Sequence, residues 1–159
     1  MSQEIKLSSE ELKLIALFQK ITRATARDVV EDEKLNRLIF VVNEGKMGLA
    51  IGKGGVNIKN LQNIIKRPVE LVEYSSEPEV FLKNMLNPKF ILDVKFSERL
   101  DGTTQAEVTV DAAKKGVVVG REGRHAEKAR LLARRYINIS KDLINQDAAI
   151  LFRATVRLR

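Results

Sequence analysis

Two stretches of this chain hold residues that could grip a phosphate. The first is Ala50-Ile51-Gly52-Lys53-Gly54-Gly55-Val56-Asn57-Ile58, and the second is Val118-Val119-Gly120-Arg121-Glu122-Gly123-Arg124-His125-Ala126. Each passes from apolar residues through Gly-x-x-Gly into a segment that reads as helix. Glycine turns a backbone sharply and lets a ligand approach closely, because it carries no Cβ. At the mouth of a helix, such a loop sets N–H donors and the positive end of the dipole beside a bound anion. Lys53 and Arg121 add one cation to each loop. A single four-residue match arises by chance, and a turn between helices with no ligand explains it as well. Two matches in one short chain, each ahead of a basic helix, call for a common cause.

The elements that must position these loops also occur twice. With the chain set against itself by the interval between Gly52 and Gly120, Ser8 falls on Ser76, Glu11 on Glu79, Val42 on Val110 and Lys46 on Lys114. In the same register Gly48 falls on Gly116, Lys53 on Arg121, Gly55 on Gly123, Lys66 on Arg134 and Arg67 on Arg135. Helix caps, glycines and cations in one gap-free register read as two copies of a single module.

In copy one, Ser8 and Glu11 form a capping box that starts a helix running to about Lys20. Thr22–Val30 and Arg37–Val42 read as strands across a polar turn, Lys46–Ile51 as a short helix, and Gly55–Lys66 as the helix after the loop. Pro68 stops that helix, and Val69–Tyr74 reads as a third strand. Copy two is expected to repeat this order. Ser76 and Glu79 would cap a helix through about Leu86, followed by strands at Phe90–Phe96 and Gln105–Val110 joined at Asp101-Gly102. A short helix at Ala112–Val119 and a longer one at Glu122–Tyr136 would flank the second loop. A strand is expected within Ile137–Asn145. Ala148–Leu158 alternates as another strand, which either replaces or supplements it.

Charge is concentrated on the same two stretches. The net charge is +7, yet residues 44–67 hold five Lys/Arg against Glu44, and residues 114–135 hold eight against Glu122 and Glu127. The remainder of the chain is slightly acidic. That distribution points to a polyanionic partner. There are no cysteines, so a disulfide and a Cys-type zinc site are excluded, and a single histidine, His125, argues against a His-based metal cluster. His125 has no nucleophile or carboxylate spaced to orient it, and it reads as a helix-surface or groove residue. The start, Met1-Ser2-Gln3-Glu4-Ile5-Lys6, lacks the apolar core of a signal peptide, and the apolar runs fall short of a membrane span. A cytoplasmic chain without membrane contact is expected.

The order helix–strand–strand–helix–GXXG–helix–strand, with Ile51-Gly52-Lys53-Gly54-Gly55-Val56-Asn57-Ile58 at the loop, resembles the type II KH domain. The double copy and the wording of both loops resemble the tandem KH region of the NusA family of transcription termination and antitermination factors, in its short archaeal form. The resemblance covers essentially the whole chain apart from about the last dozen residues. It implies an α+β fold (an α/β sandwich) of two tandem type II KH domains, 1–75 and 76–159. Each would be a three-stranded sheet with helices packed on one face; the stretch 148–158 lies outside the resemblance and is left, by its alternation, as a strand that either replaces or adds to the third strand of the second domain. It implies single-stranded RNA as the partner, with RNA polymerase or other transcription factors as protein partners. Bacterial members also carry a polymerase-binding N-terminal domain and an S1 domain, for which this length is expected to leave no room.

In a KH module the GXXG loop clamps about four nucleotides by their backbone, and the bases lie over an apolar groove. The resemblance assigns RNA contacts to Ile51, Gly52, Lys53, Gly54, Gly55, Asn57 and Lys59 in copy one. In copy two it assigns them to Val119, Gly120, Arg121, Glu122, Gly123, Arg124 and Lys128. Glu122 is unexpected in a phosphate clamp, because a carboxylate repels the backbone it should hold. Either it points away, or it pairs with Arg121 or Arg124, or loop two is the weaker site. Loop one is therefore expected to clamp the backbone, and copy two to supply the larger electrostatic attraction. Aromatic residues make up 5% of the chain and do not cluster in either basic window, which argues against an aromatic stacking platform.

Two other functions are weighed beside this one. A KH protein of ribosome assembly or RNA processing would carry the same features. An enzyme using the glycine loop on a nucleotide fits less well. Met47 stands where a P-loop has its first glycine, and Gly54 rather than Ser or Thr follows Lys53. No catalytic group and no cofactor are expected.

Overall fold

The computed structural model describes residues 5–137 and 150–155. These fall into two compact units, Ile5–Ser76 and a second that begins at Glu77. No helix among the described residues is long and apolar enough to cross a membrane.

The first unit starts where the sequence supplies its own cap. Ser8 Oγ accepts the Glu11 N–H at 3.2 Å, and the Glu11 carboxylate accepts the Ser8 N–H at 2.9 Å. This closes the capping box at the head of α1 (Ser9–Thr22). The helix runs past Lys20 because Thr22 holds its end. The Thr22 hydroxyl donates to the Phe18 carbonyl (2.8 Å) and accepts the Ala24 N–H (3.1 Å), and Arg23 turns the chain at φ 65°. The first strand therefore begins at Ala26 rather than at Thr22.

Strand β1 (Ala26–Asp32) pairs antiparallel with β2 (Arg37–Val42), with a bulge at Arg27, and β2 pairs parallel with β3 (Val69–Glu73). The sheet order is β1-β2-β3. Between β2 and β3 lie α2 (Met47–Ile51) and α3 (Val56–Ile65), so the GXXG loop sits inside the parallel crossover. Phe18, Leu38, Phe40, Val42, Ala50, Leu61 and Val69 join one buried cluster between helices and sheet. Phe18 and Phe40 stack in it at 4.8 Å between ring centroids. Every residue of β2 is buried, including Arg37 at its head. Arg37 Nε donates to Asp32 Oδ2 at 2.8 Å, and Arg37 Nη1 lies 3.7 Å from Glu70 Oε1.

The second unit repeats this layout with local differences. Helix α4 (Pro78–Met85) is N-capped by Glu77 with no side-chain cap bond, and Pro78 takes the first turn. The expected Ser76–Glu79 capping box does not form there, because Pro78 in the first turn starts the helix one residue later. Strand β4 (Ile91–Glu98) pairs antiparallel with β5 (Thr104–Asp111). Their turn is held by Asp101, whose Oδ1 accepts the Thr103 hydroxyl (2.5 Å) and the Thr103 N–H (3.0 Å). The Thr103 hydroxyl, then its N–H, keep the Asp101 carboxyl below its ordinary value.

A short turn (Ala112–Lys114) leads into α5 (Lys115–Val119), and after the second loop comes α6 (Arg124–Tyr136). Alternate residues of β5 (Ala106, Val108, Val110) are buried, as are Phe81, Leu82 and Met85 of α4 and Ala129 and Leu132 of α6. Phe81 meets Tyr136 edge to face at 5.0 Å. The third strand is β6 (Ile150–Thr155), which pairs parallel with β5 in the order β4-β5-β6. It takes the position that β3 holds in the first sheet. The strand expected within Ile137–Asn145 falls almost wholly outside the described residues.

Candidate nucleic-acid interface

Both loops are built the same way from the backbone up. Helix α2 ends when the Gly52 N–H donates to the Gly48 carbonyl at 3.0 Å; helix α5 ends when the Gly120 N–H donates to the Gly116 carbonyl at 2.9 Å. The chain then turns through Gly52 (φ 77°, ψ 168°) or Gly120 (φ 87°, ψ 159°). One tight turn follows, closed by Gly55 N–H to Gly52 O (3.0 Å) and by Gly123 N–H to Gly120 O (2.9 Å). The next helices, α3 and α6, begin with no side-chain cap bond. The first N–H of each helix is taken up within the turn, Val56 N–H by the Lys53 carbonyl and Arg124 N–H by the Arg121 carbonyl, and the N–H groups that follow, with the dipole behind them, lie directly after the loop.

Glycine is required at the first position for a contact as well as for the dihedral. A Cβ on Gly52 would stand 2.8 Å from Asn57 Cγ, and one on Gly120 would stand 2.6 Å from His125 Cδ2. Asn57 and His125 occupy equivalent places in the repeat. Asn57 Nδ2 donates to the Leu49 carbonyl at 2.8 Å, which ties the start of α3 to α2 across the loop. Asn57 is thus a strut of loop one, its amide nitrogen already engaged. Lys59 has a similar task, since its Nζ donates to the Gly54 carbonyl at 3.3 Å. In the second unit Glu127 holds the place of Lys59 and pairs with Arg130 at 3.5 Å instead.

The loops differ at their third residue. Gly54 has φ 64°, and Glu122 takes the same left-handed conformation at φ 59°. Glu122 is exposed, as are Lys53, Arg121 and Arg124. The cations therefore stand at the surface of both loops, with the carboxylate beside Arg121 in the second.

Around loop one the apolar residues divide into floor and rim. Ala50 and Leu61 are fully buried beneath it, while Leu49 (46%), Ile51 (39%) and Val56 (47%) remain exposed. Around loop two Val118 and Ala126 are buried, Val119 is half-buried and Val117 is exposed at 42%. Leu49 and Val117 were not among the residues singled out from sequence. Their signal is that α2 and α5 are single turns which bury only Ala50 and Val118, leaving the neighbouring aliphatics outside.

Lys128 does not belong with the surface cations. It is only 4% exposed. One helical turn before Leu132 and next to Ala129, it lies on the inward face of α6. The remaining expected contacts are at or beside the loops. Among the described residues no group of three or more His, Cys, Asp or Glu could hold a metal ion.

This fold and loop define the class. A family model described as KH domain matches residues 14–89. The probable transcription termination protein NusA of Halobacterium salinarum is 40% identical over 85% of this chain and 94% of its own length. The protein of the same description from Methanocaldococcus jannaschii is 30% identical over 87% of this chain and 74% of its own. The crystal structure of APE1850 superposes with a TM-score of 0.77 at 36% identity, covering 92% of this chain and 100% of that one. The chain belongs to the archaeal NusA-type family of KH proteins, and it is a NusA-like RNA-binding protein.

Proposed function

We propose that this chain binds single-stranded RNA through two KH modules and acts, without catalysis, in transcription termination or antitermination in the cytoplasm. The modules divide at 75/76, the second running from 76 to 159. The observation that carries the reading is the repetition of one loop geometry at Gly52–Gly55 and Gly120–Gly123, each under exposed cations and ahead of a helix with no side-chain cap. Backbone N–H groups, a left-handed turn and one free-standing cation per loop suit a sugar–phosphate backbone. The exposed aliphatics Leu49, Ile51 and Val56 offer a surface for bases. RNA polymerase or another transcription factor is the protein partner this reading implies.

The test is a titration of fluorescent single-stranded RNA, read by anisotropy. Replacing Lys53 and Gly54 together by Asp places two carboxylates at the exposed crest of loop one. Affinity should fall at least tenfold, since like charge replaces attraction at a phosphate site, while circular dichroism stays unchanged. Unaltered affinity in that variant rejects loop one as the clamp. In cells, crosslinked RNA confined to ribosomal precursors would reject the transcriptional role.

A further inference from the structure

Phe90 closes a short turn (Pro88–Phe90) between α4 and β4. That turn packs against α5, the helix that runs directly into Gly120. Two ammonium groups attend the ring. Lys89 Nζ is 5.5 Å and Lys114 Nζ 5.2 Å from its centroid. Both lysines are exposed, and the ring is half-buried. Lys114 is the N-cap of α5, so a single helix with a rise of about 7.5 Å separates it from the second loop. Asp111, the nearest acid before Lys114 in the chain, has its carboxylate turned into the backbone, where it accepts the Ala113 N–H at 3.0 Å.

The first unit has no ring at the equivalent place, and its own cation–ring pair, Arg27 at 3.6 Å from the Tyr74 centroid, lies elsewhere in the repeat. The repeat sets Thr22 opposite Phe90, and Thr22 is buried with its hydroxyl bonded to the Phe18 carbonyl. An aromatic face beside two exposed cations, one short helix from a phosphate-binding loop, has the make-up of a stacking position for a nucleobase. Stacking of a base on an aromatic ring is stronger than the exposed ammonium–ring contacts it would displace. The released lysines are then free to take the neighbouring phosphates.

We propose that Phe90 is a nucleobase-stacking position, with Lys89 and Lys114 on the flanking phosphates, so that the second unit holds RNA beyond the stretch its loop clamps. This rests on the reading that the chain binds single-stranded RNA. It supplies for loop two what Glu122 takes away.

The chain has no tryptophan, so Phe90→Trp introduces a sole indole at the site. This variant is titrated with a fluorescein-labelled oligoadenylate, and indole emission and fluorescein anisotropy are followed separately. The indole should be quenched, with saturation at the same RNA concentration as the anisotropy change. Phe90→Leu, which keeps an apolar side chain, should bind roughly tenfold more weakly with an unchanged circular dichroism spectrum. A full anisotropy change with unmoved indole emission overturns the stacking site, and so does a folded Phe90→Leu variant that binds as tightly as the parent. If Phe90→Leu fails to fold, the indole signal alone decides. Absence of any anisotropy change with the parent chain defeats the RNA-binding reading itself, and the stacking site with it.

Discussion

At the scale of single residues, the loops are governed by one missing atom and one extra charge. Gly52 lacks a Cβ because Asn57 fills that space at 2.8 Å, at a dihedral that L side chains rarely adopt. Gly52→Ala should therefore push Asn57 off the Leu49 carbonyl and open the loop. We expect a stability loss of about 1–3 kcal/mol in urea denaturation and a larger proportional loss of RNA affinity. An affinity unchanged in that variant would show that the strut does not shape the site. Glu122 presents the opposite case. Its left-handed backbone costs about 1–2 kcal/mol, which a glycine would recover while losing about 0.5–1 kcal/mol to chain entropy. Glu122→Gly should raise stability by about 0–1.5 kcal/mol by those two figures and tighten RNA binding about two- to fivefold, the range for one exposed, screened charge. Weaker binding of that variant in the same anisotropy assay would assign Glu122 a contact of its own.

At the scale of elements, the most exacting joint is the β1–β2 hairpin. Asp32 and Arg37 face one another in register, almost without solvent access, and Glu70 of β3 stands 3.7 Å from the same guanidinium. Two charges removed from water repay their desolvation only while both are present. Asp32→Ala should cost about 3 kcal/mol, the lower end for a broken buried pair, because Glu70 still partly answers Arg37. Equilibrium unfolding in urea measures this directly, and a loss below about 1 kcal/mol would mean that the pair contributes no more than an exposed one. The Asp101–Thr103 turn is a milder joint. The folded state lowers the Asp101 pKa, so its contribution is present above the unfolded value and fades as pH falls through the lowered one.

At the scale of the whole molecule, attraction for RNA follows from charge gathered on two stretches of a chain whose net charge is +7. The logarithm of the binding constant should fall linearly with the logarithm of salt concentration, by about 0.7 per phosphate neutralised on a single strand. Lys53→Ala should reduce that slope by about 0.7, the share of one phosphate on a single strand, without changing which RNA is preferred. A slope that does not move would take Lys53 off the phosphates. Much of this organisation was legible in the sequence. Glycines, caps and cations recur in one register, and periodicity separates helix from strand on either side of each loop. What escaped reading depends on contacts distant in the chain. Thr22 looked like strand because its hydroxyl bond to Phe18 is invisible to periodicity, and Lys128 looked like a surface cation because nothing in a lysine says which helix face it will occupy. Phe90 stood outside both basic windows until the turn before β4 packed it beside Lys114. The third strand of the second sheet lies well past where the register puts it, at Ile150 instead of Ile137, so the repeat alone left two candidates open.

The parallel pairing of β2 with β3, and of β5 with β6, has a consequence for the order of folding. A hairpin needs only its own turn, but these partners meet only after everything between them has been gathered in, and each loop lies within that stretch. Closing so long a segment has an entropic cost that must be met before the strand pairing returns anything. The hairpins can therefore form early, while each glycine loop acquires its shape only as the final strand docks. During synthesis the second loop has to wait for residues 150–155 to leave the ribosome. A chain still being made would therefore complete the first loop before the second.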